Sequence, residues 1–156
     1  MDLIIKEIID KKEKEIISKE VLYDLPEWFG LPESTEEYIK DSQDKPFLAC
    51  FADNEVAGFI VLNATSKDTA DIFVMGIKKK FHRMGIGTKL NTEFENMAKN
   101  LGYSYSQVKT VKMGHYKEYD ITNEFYIAMG YKELECFPTL WDEWNPCQIY
   151  IKYLGE

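Results

Sequence analysis

Asp71 to Leu101 reads D-I-F-V-M-G-I-K-K-K-F-H-R-M-G-I-G-T-K-L-N-T-E-F-E-N-M-A-K-N-L, and this stretch decides the fold. Asp71 to Ile77 is β-branched and aromatic, which predicts a buried strand. From Lys78 to Lys89 there are five Lys or Arg residues and no carboxylate, and Gly85-Ile86-Gly87 lies within that run. From Thr88 onward, Leu90, Phe94, Met97 and Leu101 recur at helical spacing. A strand therefore feeds a basic, glycine-bearing turn, and the turn opens a helix. Free backbone N–H groups at the positive end of a helix dipole suit a phosphate, so the turn is expected to grip a phosphorylated cofactor. Two familiar phosphate loops are excluded. A dinucleotide fingerprint needs a third glycine where Leu90 stands, and no G-x-x-x-x-G-K-[ST] run occurs.

Upstream, Leu3 to Ile9 predicts a first strand. Asp10 with Glu13 forms a capping box for a helix carrying Ile17, Val21 and Leu25, ended near Pro26. Pro26-Glu27-Trp28-Phe29-Gly30 is a loop with two adjacent large aromatics. Ser34 with Glu37 marks a second short helix bearing Tyr38 and Ile39. Phe47 to Ala52 and Val56 to Asn63 read as a hairpin turning at Asp53-Asn54-Glu55, followed by the strand at Asp71. Downstream, Gly102 ends the long helix and Tyr103 to Val111 is a strand, so this strand–helix–strand crossover predicts a parallel pair. Ile121, Phe125 and Met129 give a short helix closed by Gly130. Tyr131 to Phe137 and Gln148 to Leu154 form a last hairpin, whose long connection contains Trp141. No repeats, low-complexity tracts or linkers interrupt the chain, and 1–156 reads as a single domain.

Composition narrows the function. The 156 residues are 45% hydrophobic, enough for a full core, and carry a net charge of −8. That charge argues against nucleic-acid binding and would attract a cationic partner. Cys50, Cys136 and Cys147 are odd in number and widely spaced, with no C-x-x-C, so neither a disulfide framework nor a metal site is expected. There is no signal-peptide pattern and no apolar run near the roughly 20 residues of a membrane span. A cytoplasmic location is the expectation.

His82-Arg83-Met84-Gly85-Ile86-Gly87 resembles Q/R-x-x-G-x-G/A, the pyrophosphate loop of the GNAT superfamily of acyl-CoA N-acyltransferases. Ile77 to Phe81 resembles that family's V-x-P-x-Y lead-in. Phe125-Tyr126-Ile127-Ala128-Met129-Gly130-Tyr131 resembles its F-Y-x-x-x-G-F segment. The departures are His82 at a Gln/Arg position, Lys79 where proline is common, and Tyr119 where a cofactor-contacting Asn is frequent. A closer resemblance is to uncharacterised bacterial members sharing Pro26 to Gly30, Phe137-Pro138-Thr139-Leu140-Trp141 and Asn145-Pro146-Cys147. The resemblance implies an α+β fold: a mixed, mostly antiparallel sheet of about seven strands, with a splayed parallel central pair and about four helices.

The same resemblance implies acetyl-CoA as cosubstrate, without a metal, and a primary amine as acceptor. Met75, Gly76, Ile77 and His82, Arg83, Met84, Gly85, Ile86, Gly87 and Thr88 would bind the cofactor. A backbone N–H near Met75 to Ile77 would serve the thioester oxygen. Lys78, Lys79, Lys80 and Arg83 would add charge for the phosphates. Tyr126 stands where the family has a tyrosine near the CoA sulfur, and is the candidate acid. Ala70-Asp71-Ile72 resembles the A-E-I of histone-acetylating members, so Asp71 is the candidate base; His115, Glu27 and Asp142 are further bases that folding could supply. Trp28, Phe29 and Trp141 would wall the acceptor. A homodimer is compatible with this reading, and neither nucleic acid nor membrane is a partner. The alternatives are a non-catalytic acyl-CoA-binding module and, less well supported by the motifs, a nucleotide-binding protein.

Overall fold

The computed structural model describes residues 1–155. In chain order it contains β1 (Leu3–Glu7), α1 (Lys11–Leu22), α2 (Pro32–Ser42), β2 (Phe47–Ala52), β3 (Glu55–Ala64), β4 (Thr69–Ile77), α3 (Ile86–Asn100), β5 (Tyr105–Val111), α4 (Lys117–Ala128), β6 (Lys132–Phe137) and β7 (Cys147–Tyr153). A short 3-10 turn, Lys79–Phe81, links β4 to the glycine loop. The seven strands form one sheet in the order β1-β2-β3-β4-β5-β7-β6. The sheet is mixed, with β4 and β5 as its parallel pair, as the crossover predicts. Among the described residues no helix is long and apolar enough to cross a membrane.

The chain divides into two compact units, and β4 passes from one to the other between Asp71 and Ile72. The first holds residues 1–63 and 72–97. Its core is Ile17, Val21 and Leu22 of α1, Ile39 of α2, and Phe47, Phe59, Val61 and Val74 of the strands, all buried. Phe47 and Phe59 stack with ring centroids 5.1 Å apart across the β2–β3 hairpin. Burying each such side chain contributes about 1.5–3 kcal/mol. Asp10 caps α1 as its spacing predicts, accepting from the Glu13 N–H at 2.9 Å.

The second unit holds residues 64–71 and those from 98 onward. In it β7 pairs antiparallel with both β5 and β6, Val111 lying opposite Cys147 and Phe137 opposite Cys147 on its other side. Cys50, Cys136 and Cys147 are free thiols.

Two helices differ from the sequence expectation. α2 starts at Pro32, not at Ser34, with Leu31 as its cap. Proline in the first turn has its φ already set for a helix and no N–H to leave unpaired. α4 starts at Lys117, and it buries Asn123 and Tyr126 while Ile121 is 55% exposed. The polar Asn123 is buried because it is fully engaged: its Nδ2 donates to Val111 O at 2.8 Å and Tyr119 O at 2.6 Å, and its Oδ1 accepts from Tyr150 Oη at 2.6 Å.

Candidate active site

The glycine turn belongs to the first unit. After β4 ends at Ile77, the His82 ring folds back and its Nε2–H donates to the Ile77 carbonyl at 2.7 Å, which fixes the tautomer. The Lys79 N–H donates to Asp24 at 2.7 Å. Arg83 and Gly85 both take positive φ, 64° and 77°. Only Gly85 does so without a Cβ penalty, and a Cβ added there would meet nothing within 4 Å. The Lys89 N–H to Gly85 O bond, 3.2 Å, starts the α3 ladder, so the amides of Ile86, Gly87 and Thr88 precede it. The first turn of α3 carries no acidic residue. An open turn, unladdered amides and a dipole's positive end fit a diphosphate.

The lysines ahead of this turn are already paired. Lys78 meets Glu20 and Glu55, Lys79 meets Glu27 at 2.7 Å, and Lys80 meets Glu55. Lys79 holds the Glu27 carboxyl below its usual range by that hydrogen bond. Glu27 is thus a paired carboxylate of the turn. Arg83 and Lys89 take part in no ion pair among the described residues.

Gly76 is a place of close approach, and the neighbours are identifiable. A Cβ on it would lie 3.0 Å from Val21 and 3.1 Å from Leu25, so glycine lets α1 settle on β4. A Cβ on Gly58 would lie 2.7 Å from the Gly76 carbonyl. Gly58 is therefore required by packing inside the first unit, whereas at Gly76 the Val21 and Leu25 methyls would have to give by a few tenths of an ångström.

The aromatics of the α1–α2 loop join the same unit. Trp28 stands edge-on to His82, centroids 5.9 Å apart. Phe29 leads through Tyr38 to Phe73 by edge contacts of 5.9 and 5.3 Å. Ser34, Glu37, Tyr38, Asp41 and Phe73 line a cavity of about 220 Å³.

In the second unit lies Asp71, only 4% exposed. Gln107 Nε2 donates to its Oδ1 at 3.2 Å. Burial pushes the Asp71 carboxyl up to about 6, against opposing pulls from the Lys109 ammonium and the Gln107 bond. Tyr126 of α4 is also 4% exposed, and burial, with Tyr131 and Asp71 nearby, pushes its hydroxyl well above the ordinary tyrosine range. Its ring lies 5.6 Å from that of Tyr131 and 6.4 Å from that of Tyr150. Tyr131 in turn shares a 2.6 Å hydrogen bond with Ser106. The fold thus brings Asp71 and Tyr126 into one electrostatic neighbourhood, together with Gln107 and Lys109, which sequence reasoning missed. Their one sequence signal is an i, i+2 spacing on β5, which puts both on one face.

Trp141 is 44% exposed in the β6–β7 connection. Its neighbour Asp142 folds that loop, accepting from the N–H groups of Trp144 and Asn145 at 2.8 Å each. Bonds from the Asn145 side chain and from these amides hold the Asp142 carboxyl below its usual range. His115 is exposed. No group of three or more potential metal ligands occurs among the described residues.

Solved structures with this fold extend over nearly the whole chain. A GNAT-family acetyltransferase from Desulfovibrio desulfuricans aligns with TM-score 0.84 at 14% identity, covering 99% of this chain and 100% of that one. An aminoglycoside 6'-N-acetyltransferase complexed with coenzyme A aligns with TM-score 0.77 at 18% identity, covering 98% of each. A GNAT acetyltransferase from Elizabethkingia anophelis with acetyl-CoA bound aligns with TM-score 0.75 at 16% identity, covering 97% of each. No protein of curated function matches the sequence significantly. The sequence profile of the acetyltransferase (GNAT) family matches residues 18–131, which include the glycine turn, Asp71 and Tyr126. The chain belongs to the acetyltransferase (GNAT) family.

Proposed function

We propose that residues 1–156 act as one N-acetyltransferase domain, moving acetyl from acetyl-CoA directly to a primary amine. The observation that carries the proposal is Asp71, a buried carboxylate with Tyr126 in electrostatic reach, in a chain of this family. Bound acetyl-CoA supplies the thioester whose acetyl group is transferred. The amides of Gly85 to Thr88 would hold its diphosphate, with His82 and Met84 shaping the turn and Arg83 adding charge. A backbone N–H of Met75 to Ile77 would donate to the thioester oxygen.

An amine acceptor arrives protonated, with a pKa of about 10 if it resembles lysine, so it must lose a proton before it can attack. Asp71, at about 6, is ionised at neutral pH and remains a stronger base than an ordinary aspartate. It takes the ammonium proton, directly or through one water. Tyr126 keeps its proton across the physiological range and donates a hydrogen bond from Oη towards the sulfur. Trp28 and Phe29 in the first unit, and Trp141 in the second, are proposed as acceptor contacts. Cationic acceptors suit the chain's net charge of −8.

Purified protein is tested with acetyl-CoA and a panel of polyamine, amino-acid, aminoglycoside and peptide amines, following free thiol and the acetylated product. Asp71→Asn is expected to lower kcat/KM by about 10²–10⁴-fold, the range of acid–base contributions, and Tyr126→Phe to lower kcat by roughly ten- to a thousandfold, with water partly replacing the hydroxyl. CoA binding without acetylation of any amine overturns the proposal.

A further inference from the structure

We propose that Gln107, backed by Lys109, is a positioning residue that keeps Asp71 ionised and correctly turned for proton removal; this rests on Asp71 being the base. Asp71 is 96% out of water by its 4% exposure, and a buried carboxylate without a donor would take up a proton and cease to be a base. Gln107 reaches it from β5, giving Nε2–H to Oδ1 at 3.2 Å across a separation of 36 residues. A donor on one oxygen fixes the rotation of the carboxyl and leaves Oδ2 to receive the ammonium proton. An amide suits this role because it donates without itself titrating.

Lys109 is two residues along the same strand, on the same face as Gln107. Among the described residues, the titratable groups whose electrostatics couple to Asp71 include Lys109 from β5, Tyr126 from α4 and Cys147 from β7. Burial pushes the Cys147 thiol up to about 11, and burial raises the Tyr126 hydroxyl too, so both are neutral where the enzyme would work. Lys109 is the one charged neighbour of the three. It and Gln107 act in the same direction, opposing burial.

The test uses the full chain. The Asp71 carboxyl is titrated by carbon NMR with labelled aspartate, and kcat/KM is followed against pH, in wild type, Gln107→Met and Lys109→Met. Gln107→Met removes the donor at nearly constant volume. Gln107→Met is expected to move the Asp71 midpoint upward by about one pH unit, the size of one hydrogen bond to a charged group, and Lys109→Met to move it in the same direction by removing a nearby cation. The acid limb of kcat/KM should move with it. A carboxyl midpoint unmoved in Gln107→Met overturns the inference, whatever the rates do and whatever Lys109→Met shows. A midpoint that moves while the acid limb stays put, with Asp71→Asn still active, removes Asp71 as base and leaves the hold on its carboxyl standing. Should Gln107→Met fold poorly, Gln107→Asn decides: it keeps an amide but shortens its reach to Asp71 Oδ1, so the midpoint should still rise, and an unmoved midpoint overturns the inference.

Discussion

A carboxylate taken out of water, as Asp71 is, opposes folding, and in the proposed function that cost would accompany its role as base. Its folded value of about 6 lies above the ordinary 3.8. Between those pH values the native chain keeps a proton that the unfolded chain has lost. Stability therefore falls as pH rises through that window, and the whole penalty is present above it. Two units of displacement correspond to about 3 kcal/mol at most. Asp71→Asn removes the ionisation and keeps an oxygen to accept from Gln107. It is expected to raise Tm by a few degrees at pH 8, and the gain should vanish near pH 4. Thermal melts at both pH values check this; an Asn variant no more stable than wild type at pH 8 would show that burial does not strain Asp71. The sequence could not reveal this burial. Asp71 follows a polar turn and reads equally well as a solvated strand-start carboxylate, because its partners Gln107 and Lys109 arrive from a distant strand.

The strands and the glycine turn were legible because their signals are local. Phe47 to Ala52 is bounded by Pro46 and Asp53, and the β4–turn–α3 passage is written in contiguous residues. α4 was legible only in part. Its Ile121, Phe125 and Met129 are spaced for a helix, yet the buried positions are Asn123 and Tyr126, whose partners Val111, Tyr119 and Tyr150 no periodicity reveals. In α3 the apolar stripe holds at Leu90 and Phe94, both fully buried, but Leu101 is 56% exposed beyond the helix end. The turn makes a separable prediction. Gly85→Ala meets no atom but forces a side chain to φ 77°, costing about 1–2 kcal/mol of stability. Gly85→Asp suffers the same strain and adds a charge beside the amides. Calorimetry with CoA is expected to show a modest loss for Ala and at least tenfold weaker binding for Asp, from repulsion of phosphate at the helix start. Equal, wild-type affinity in both would place the diphosphate elsewhere.

Charge acts over the entire protein, and here its local and global balances differ. The sequence presents Lys78, Lys79 and Lys80 as a free basic run, whereas the fold returns Glu20, Glu27 and Glu55 to them. Against an overall −8, the basic side chains near the turn that take part in no ion pair among the described residues are Arg83 and Lys89. In the proposed function, phosphate binding would rest chiefly on backbone amides, whose dipoles are short-ranged, while a cationic acceptor would feel the net field of the chain. Salt screens that field, with a Debye length of about 10 Å at 0.1 M. Raising sodium chloride from about 0.05 to 0.5 M is expected to lower kcat/KM for a polyamine several-fold, and to change the KM for acetyl-CoA by less than about twofold. Replacing the pair together, Lys79→Met with Glu27→Gln, should leave CoA affinity near wild type, because it removes a cation along with the carboxylate that already neutralises it. Arg83→Glu should weaken it about tenfold, as one charge reversal near a phosphate would. Steady-state kinetics across the salt series, with CoA calorimetry on both variants, checks the two together. A steep salt dependence for acetyl-CoA, with the Lys79→Met and Glu27→Gln pair as damaging as Arg83→Glu, would mean that the carboxylates release the lysines when the cofactor binds.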